Sequence, residues 1–243
     1  MNKSLIIPTT IIVIIIVSVI ISIFGSENMY KLDNKYEKYL DVELDSVTLI
    51  IKNGSEFKAE SDYENIIIEK EDNKLLIREK KSLIMDKMRK FVYVYIPEDM
   101  ILDYASIEMN GGLVKIENLN TNKLEIEIES ASIKINNLIV NNDCEIKSAR
   151  GKIDVEKSII NNLELDITSG SANINSLLTG NNEIDLSSGT INLNLIGDDY
   201  KFNTNEVSGT IKINNEREIV NNNGNTIIDI ENVSGSVNVL TNR

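Results

Sequence analysis

The chain has 243 residues, 42% of them hydrophobic, and a formal net charge of −13. It contains no histidine, no tryptophan and a single cysteine, Cys144, which excludes a Ser-His-Asp triad, a His-ligated zinc site and an intramolecular disulfide. Binding a polyanion usually needs a basic footprint, so the acidic balance also argues against a nucleic-acid role.

The first predicted element is apolar. Leu5 to Phe24 carry no charged residue, and a helix of about 20 residues rising ~1.5 Å per residue spans the ~30 Å core of a bilayer. The β-branched residues would favour a strand in water, but in lipid the backbone must satisfy itself, so a helix is expected. Pro8 falls near its first turn, where a missing N–H matters least. A cleaved signal peptide would have a shorter apolar core, of ~7–15 residues, and a small-x-small exit. Ile23-Phe24-Gly25-Ser26 offers a poor one. Residues 1–26 are therefore read as a tail and an uncleaved transmembrane anchor in contact with the lipid bilayer. Residues 27–44, polar with scattered Tyr and Leu, are read as a stalk or linker.

Residues 45–104 contain irregular candidate strands: Ser46-Val47-Thr48-Leu49-Ile50-Ile51, Asn65 to Glu69, Lys74 to Arg78, and Phe91 to Pro97. They are read as a β-rich cap. Between them lies a basic stretch, Arg78, Lys80, Lys81, Lys87, Arg89 and Lys90. It reads first as a solvated hairpin loop and second as a contact for anionic lipid or an acidic partner.

From residue 105 to 243 the chain repeats. Small residues at Gly112, Ala131, Gly151, Gly170, Gly189, Gly209 and Gly235 recur at steps of 19, 20, 19, 19, 20 and 26 residues, each followed by an alternating run such as Ser169-Gly170-Ser171-Ala172-Asn173-Ile174. Two residues past the small position the residues are Val114, Ile133, Ile153, Ala172, Ile191, Ile211 and Val237; four past it they are Ile116, Ile135, Val155, Ile174, Leu193, Ile213 and Val239. The polar residues between are Lys115, Lys134, Asp154, Asn173, Asn192, Lys212 and Asn238. Period two is the strand signature. A unit of this length cannot bury an apolar face alone, so the units must stack. The expectation is an all-β solenoid of about seven coils; a sandwich of hairpins is the alternative, and a propeller blade needs ~40–45 residues.

The run Phe91-Val92-Tyr93-Val94-Tyr95-Ile96-Pro97-Glu98-Asp99, followed by Ser-Gly-x-Ile-x-Ile units, resembles the putative-adhesin family of bacterial proteins, also called domain-of-unknown-function family 4097. Gly112, Ala131 and Arg150 depart from the Ser-Gly pair. The resemblance implies a β-solenoid on a bacterial cell envelope, and brings no catalytic residues with it. Some relatives look like accessories to envelope-stress signalling. The lysines flanking the anchor, Lys3 before and Lys31, Lys35 and Lys38 after, give mixed orientation cues; the resemblance points to an extracytoplasmic soluble part.

Three constellations remain. The column Glu108, Glu127, Lys147, Asp166, Asp185, Asn205 and Glu231 reads first as a solvated strand face and second as a cation or carbohydrate strip. Asn173 with Asn192, and Asn175 with Asn194 and Asn214, fall in matching columns suited to amide ladders. Cys144 shares a column with Leu124 and Leu163 and reads as a core residue. The sequence nominates no catalytic residue, cofactor or metal ligand. It points to a non-catalytic, membrane-anchored envelope protein with an adhesin-like or scaffold surface for another envelope protein or wall polymer, or alternatively to an accessory of an envelope-stress sensor.

Overall fold

The computed structural model describes residues 35–80, 90–216 and 223–242. The anchor expected over Leu5 to Phe24 lies outside them. The described residues form strands and connections with no helix. The strands are β1 (Tyr39–Asn53), β2 (Lys58–Ser61), β3 (Ile66–Glu71), β4 (Lys74–Glu79), β5 (Phe91–Ile96), β6 (Leu102–Ile116), β7 (Leu119–Ile128), β8 (Ser132–Asn136), β9 (Leu138–Asn161), β10 (Leu163–Thr179), β11 (Asn181–Ile196), β12 (Tyr200–Glu206), β13 (Thr210–Ile213) and β14 (Thr226–Asn242).

A straight strand of 24 residues, the length of β9, would run roughly 80 Å. It does not, because the chain turns corners while its rung-to-rung pairing continues. Each coil contributes three paired runs. For one coil they are Leu124–Ile128 on Cys144–Ser148, Ser132–Asn136 on Lys152–Glu156, and Leu119–Thr121 on Leu138–Val140, all parallel. We call these the first, second and third faces. Alternate residues of each run point inward and form one continuous core from Leu40 to Val239. Both apolar columns lie in it, and Cys144 is buried between Leu124 and Leu163 in register.

The small residue marks the corner between the first and second faces. Gly151, Gly170 and Gly189 sit on one another. Gly189 has φ +123°, and a Cβ there would lie 2.0 Å from the Gly170 carbonyl oxygen, so a side chain would push the rungs apart. Where Ala131 replaces glycine, the strand breaks into β7 and β8. The corner between the second and third faces uses left-handed residues, Asn137 at φ 56° and Lys157 at φ 51°.

Two expectations are corrected. The linker read over residues 27–44 ends early, because β1 begins at Tyr39 and stacks on β6 from Tyr39↔Tyr104 to Ile51↔Ile116. Most of β1 is thus a further coil. The cap proper is β4 and β5, which lie parallel to β1 on its other side, closed by antiparallel β3 and β2. Val47 occupies the corner opposite Gly112, so this coil lacks the small-residue signature.

The second correction concerns order. The chain does not stack its last coils in sequence. β14 pairs along its length with β11, Gly189↔Gly235 and Ile191↔Val237. β12 and β13 pair with β14 instead, through Phe202↔Ile228 and Ile211↔Val237. The strand order therefore runs β11, β14, β12, with the last strand filling the rung between. The side chain of Asn214 clasps the return, donating to Thr241 Oγ1 at 3.1 Å and accepting from the Thr241 N–H at 3.0 Å.

Removing β14 takes away the pairing partner of β12 and β13. A chain stopped after Asn223 is expected to lose amide-exchange protection throughout β12 and β13 and along one edge of β11, while β6 to β9 stay protected. Retained protection in β12 would mean that it stacks directly on β11. In the middle of the stack, Ile153 is fully buried. Ile153→Asp places an unpaired charge there and is expected to cost about 4 kcal/mol or more, enough to abolish the cooperative unfolding transition.

Candidate functional site

The first face carries carboxylates on both of its outward columns. One column runs Glu43, Glu108, Glu127, Lys147, Asp166, Asp185, Glu231 and Asn205, each in register with the next. This is the column legible in the sequence, extended by Glu43 and with Glu231 ahead of Asn205 because of the inverted coil order. Two residues earlier in each strand runs a second column: Asp41, Ser106, Glu125, Glu145, Glu164, Glu183, Asp229 and Asn203. Sequence reasoning missed this one, although the alternation Glu125, Glu127, Glu129 signalled it.

Parallel rungs set these groups about 4.8 Å apart, and like charges in register repel. Asp185 shows the result. Partial burial, then the charges of Glu183, Glu231, Asp166 and Glu164, raise its pKa. Glu43 is raised too, by burial and by Asp41 and Glu108, against the lowering effect of Arg78. Cations relieve the face at intervals. Lys147 bonds Glu145 and lies 3.4 Å from Glu164. Lys123 pairs with Glu125 at 2.5 Å, while the Tyr104 hydroxyl donates to the same carboxylate. Burial opposes ionisation of Glu125, but these partners outweigh it and hold its pKa low. A shallow hollow of about 250 Å³ lies among Glu108, Glu127, Lys147 and Asp166, below the ~300–1,000 Å³ of small-ligand sites.

The second face is amide-rich. Asn238 donates to Asn192 at 3.1 Å, Asn192 to Asn173 at 2.9 Å, and Asn173 to Asp154 at 2.9 Å. Asp154 pairs with Lys152 at 2.8 Å. The predicted ladder is therefore present, with Asn238 as its next rung. The companion column holds only for Asn175 and Asn194; Asn214 is drawn to Thr241 instead. At the cap end, Phe91, Tyr93 and Tyr95 stack at 6.1 and 6.4 Å between centroids, with Lys52 over both tyrosine rings.

The basic stretch is not gathered into one patch among the described residues. Lys81, Lys87 and Arg89 lie outside them. Lys80 is exposed. Arg78 is 4% exposed and continues the acidic column inward, bonded to Asp41 and 3.0 Å from Glu43. Lys90 pairs with Glu79 at 2.8 Å beneath the ring of Tyr63. Strand β4 takes Arg78 into the packed cap, so its charge serves internal pairing. Among the described residues no group of three or more His, Cys, Asp or Glu side chains is placed to hold a metal ion.

A family model, Toastrack DUF4097, matches residues 38–243. The chain belongs to the Toastrack family. Its first residues in the match fall at the start of β1, so the coil hidden from sequence inspection is part of the Toastrack unit. Solved structures with some likeness include a putative cell adhesion protein from Clostridium sporogenes ATCC 15579, 15% identical, covering 87% of this chain and 97% of that one, with a TM-score of 0.40. Another is a putative adhesin from Bacteroides fragilis NCTC 9343, 15% identical, covering 88% and 98%, with a TM-score of 0.32. No curated protein matches.

The raised pKa of Asp185 has a defined consequence. A carboxyl whose folded pKa is raised favours the folded state when protonated, and that contribution is lost as pH rises through the folded pKa. Asp185→Asn is therefore expected to raise stability at pH 7 by roughly 0.5 kcal/mol and to leave it unchanged near pH 3. Thermal unfolding at the two pH values checks this; equal effects at both would remove the electrostatic explanation.

Proposed function

We propose that this Toastrack protein is a non-catalytic cell-envelope protein, held to the membrane by Leu5 to Phe24. On this reading its coils are displayed outside the cell as an adhesin-like surface for another envelope protein or a wall polymer. The observation that carries the reading is the first face, where carboxylates repeat on two columns across successive rungs. Such a face is extended, flat and mutually repulsive, which suits a long counterpart with regularly spaced cations or amines better than a small substrate. The sequence adds support: the chain has no histidine, the commonest general base, and Cys144 is buried, which pushes its thiol pKa up and away from nucleophilic use.

Intact cells treated with an external protease should lose residues 35 to 243, and full protection would place the domain in the cytoplasm. Binding of the full chain to isolated envelopes should fall about tenfold when Glu164→Lys and Glu183→Lys are combined, with steeper salt dependence in the unaltered chain. Unchanged binding would remove the acidic face from the reading.

A further inference from the structure

Strand β5 turns its aromatic side chains away from the core. Val92, Val94 and Ile96 are buried, so the alternate residues Phe91, Tyr93 and Tyr95 face outward on the second face, half-buried and side by side. Their rings lie within 13° and 26° of parallel. On one side β1 sets Lys52 in register with Tyr95; on the other, β2 sets Lys58 against Tyr95 and Glu60 against Tyr93. The Lys52 ammonium lies 5.1 Å from the centroids of both tyrosine rings, and that of Lys58 lies 5.5 Å from the Tyr95 centroid. A Cβ at Gly54 would fall 2.6 Å from Tyr95 Cβ, so the chain leaving β1 closes directly on that residue. Such rings offer rigid, amphipathic contact area that loses little freedom on binding.

Lysine gathers around them. Each rung of the second face from β9 to β2, except β5 itself, turns one lysine outward: Lys152, Lys134, Lys115, Lys52 and Lys58. The stretch is about 24 Å long. Further along the stack, β10, β11 and β14 contain no lysine or arginine. Three of the five lysines pair with a carboxylate two residues along the chain: Lys152 with Asp154 at 2.8 Å, Lys115 with Glu117 at 2.6 Å and Lys58 with Glu60 at 2.8 Å. Lys134 and Lys52 make no ion pair with a described residue.

We propose that this aromatic and lysine-bearing strip, separate from the acidic first face, is a binding site for an acidic polysaccharide. A pyranose has a C–H face and a hydroxyl edge. The C–H face suits the negative face of an aromatic ring. The hydroxyl edge both donates and accepts, and beside the tyrosine rings it finds the ammonium groups of Lys52 and Lys58 and the carboxylate of Glu60. Anionic substituents find Lys52 and Lys134, the two cations of the strip without a carboxylate partner. Other occupants fit less well. A hydrocarbon chain or an apolar protein surface would take Lys52, Lys58 and Glu60 out of water at a cost. A nucleic acid carries a phosphate at every nucleotide, and would set phosphates against Asp154, Glu117 and Glu60 as well as against the lysines. A sugar polymer charged at intervals matches a strip charged at intervals.

The test measures binding of the full chain, in mild detergent, to three immobilised polymers: polygalacturonate, uncharged pullulan and oligothymidylate. The chain is expected to bind polygalacturonate, less tightly as salt rises, and about tenfold or more tighter than either of the others. Lys52→Gln is expected to weaken that binding about fivefold and to leave the unfolding temperature unchanged, because Lys52 has no ion pair to lose. Tyr93→Ala with Tyr95→Ala is expected to weaken it about tenfold or more, while the corresponding pair of phenylalanines keeps most of it. Glu164→Lys with Glu183→Lys, which probes the first face, is expected not to weaken it, so the two surfaces stand or fall separately. Absence of polygalacturonate binding by the unaltered chain would overturn the proposal. So would equal binding of pullulan or oligothymidylate, an affinity that Lys52→Gln and the two alanines leave unchanged, or a loss caused by the first-face pair.

Discussion

Everything in this molecule depends on parallel rung-on-rung pairing of the backbone. Parallel strands in register place each residue about 4.8 Å from its counterpart in the next coil. Chemistry is therefore copied along the stack: an inward isoleucine meets an isoleucine, a corner glycine meets a glycine, and a surface carboxylate meets a carboxylate. The first two coincidences stabilise, through apolar burial and through close approach of backbones that a side chain would prevent, as at Gly170 and Gly189. The third costs energy. The chain tolerates it because exposed like charges repel by only a fraction of a kcal/mol per pair, and because Lys147 interrupts one column while Lys123 pairs with Glu125 in the other.

The same copying divides the surface by chemistry. The first face repeats carboxylates, the second passes from charged residues at Lys115, Lys134 and Asp154 to amides at Asn173 and Asn192, and the third carries aliphatics on several of its coils. The Asn238–Asn192–Asn173–Asp154 chain of hydrogen bonds turns repetition to advantage, since Asn192 and Asn173 each donate to one neighbour and accept from the other. No such solution exists for glutamate on glutamate or isoleucine facing water. Those two columns carry unmet interactions, and they are the surfaces to which a counterpart would bring most.

Much of this was legible in the residues. The corner glycines and the paired columns headed by Val114 and Ile116 announced the coil, its length and its core, and the family resemblance agreed. The Asn173–Asn192 ladder and the buried Cys144 followed from the same alignment. What stayed hidden has physical reasons. The β1 coil turns its corner at Ser46-Val47 without a glycine, so no motif marks it. Arg78 looked like part of a basic loop because its neighbours are lysines, yet strand pairing with Glu43 draws it inward. The inverted order of the last coils could not be read, because Ser188-Gly189-Thr190-Ile191, Ser208-Gly209-Thr210-Ile211 and Ser234-Gly235-Ser236-Val237 are interchangeable as rungs. Only the longer step from Gly209 to Gly235 differed. The third face escaped because a single outward residue per coil has no period of its own.

The inverted order also bears on how the molecule is made. A chain emerging from the ribosome or a secretion channel can lay down coils one upon another as they appear, each templated by the edge before it. That progression halts at β11. The next segment to emerge, β12 and β13, cannot take its final place at once, because its partner is β14, which is synthesised afterwards. Until Thr226 to Asn242 are free, β11, β12 and β13 all lack their native partner. The native order of the last coils is therefore complete only once β14 is in place. A stalled or prematurely released chain would present an open strand edge of the kind that promotes aggregation.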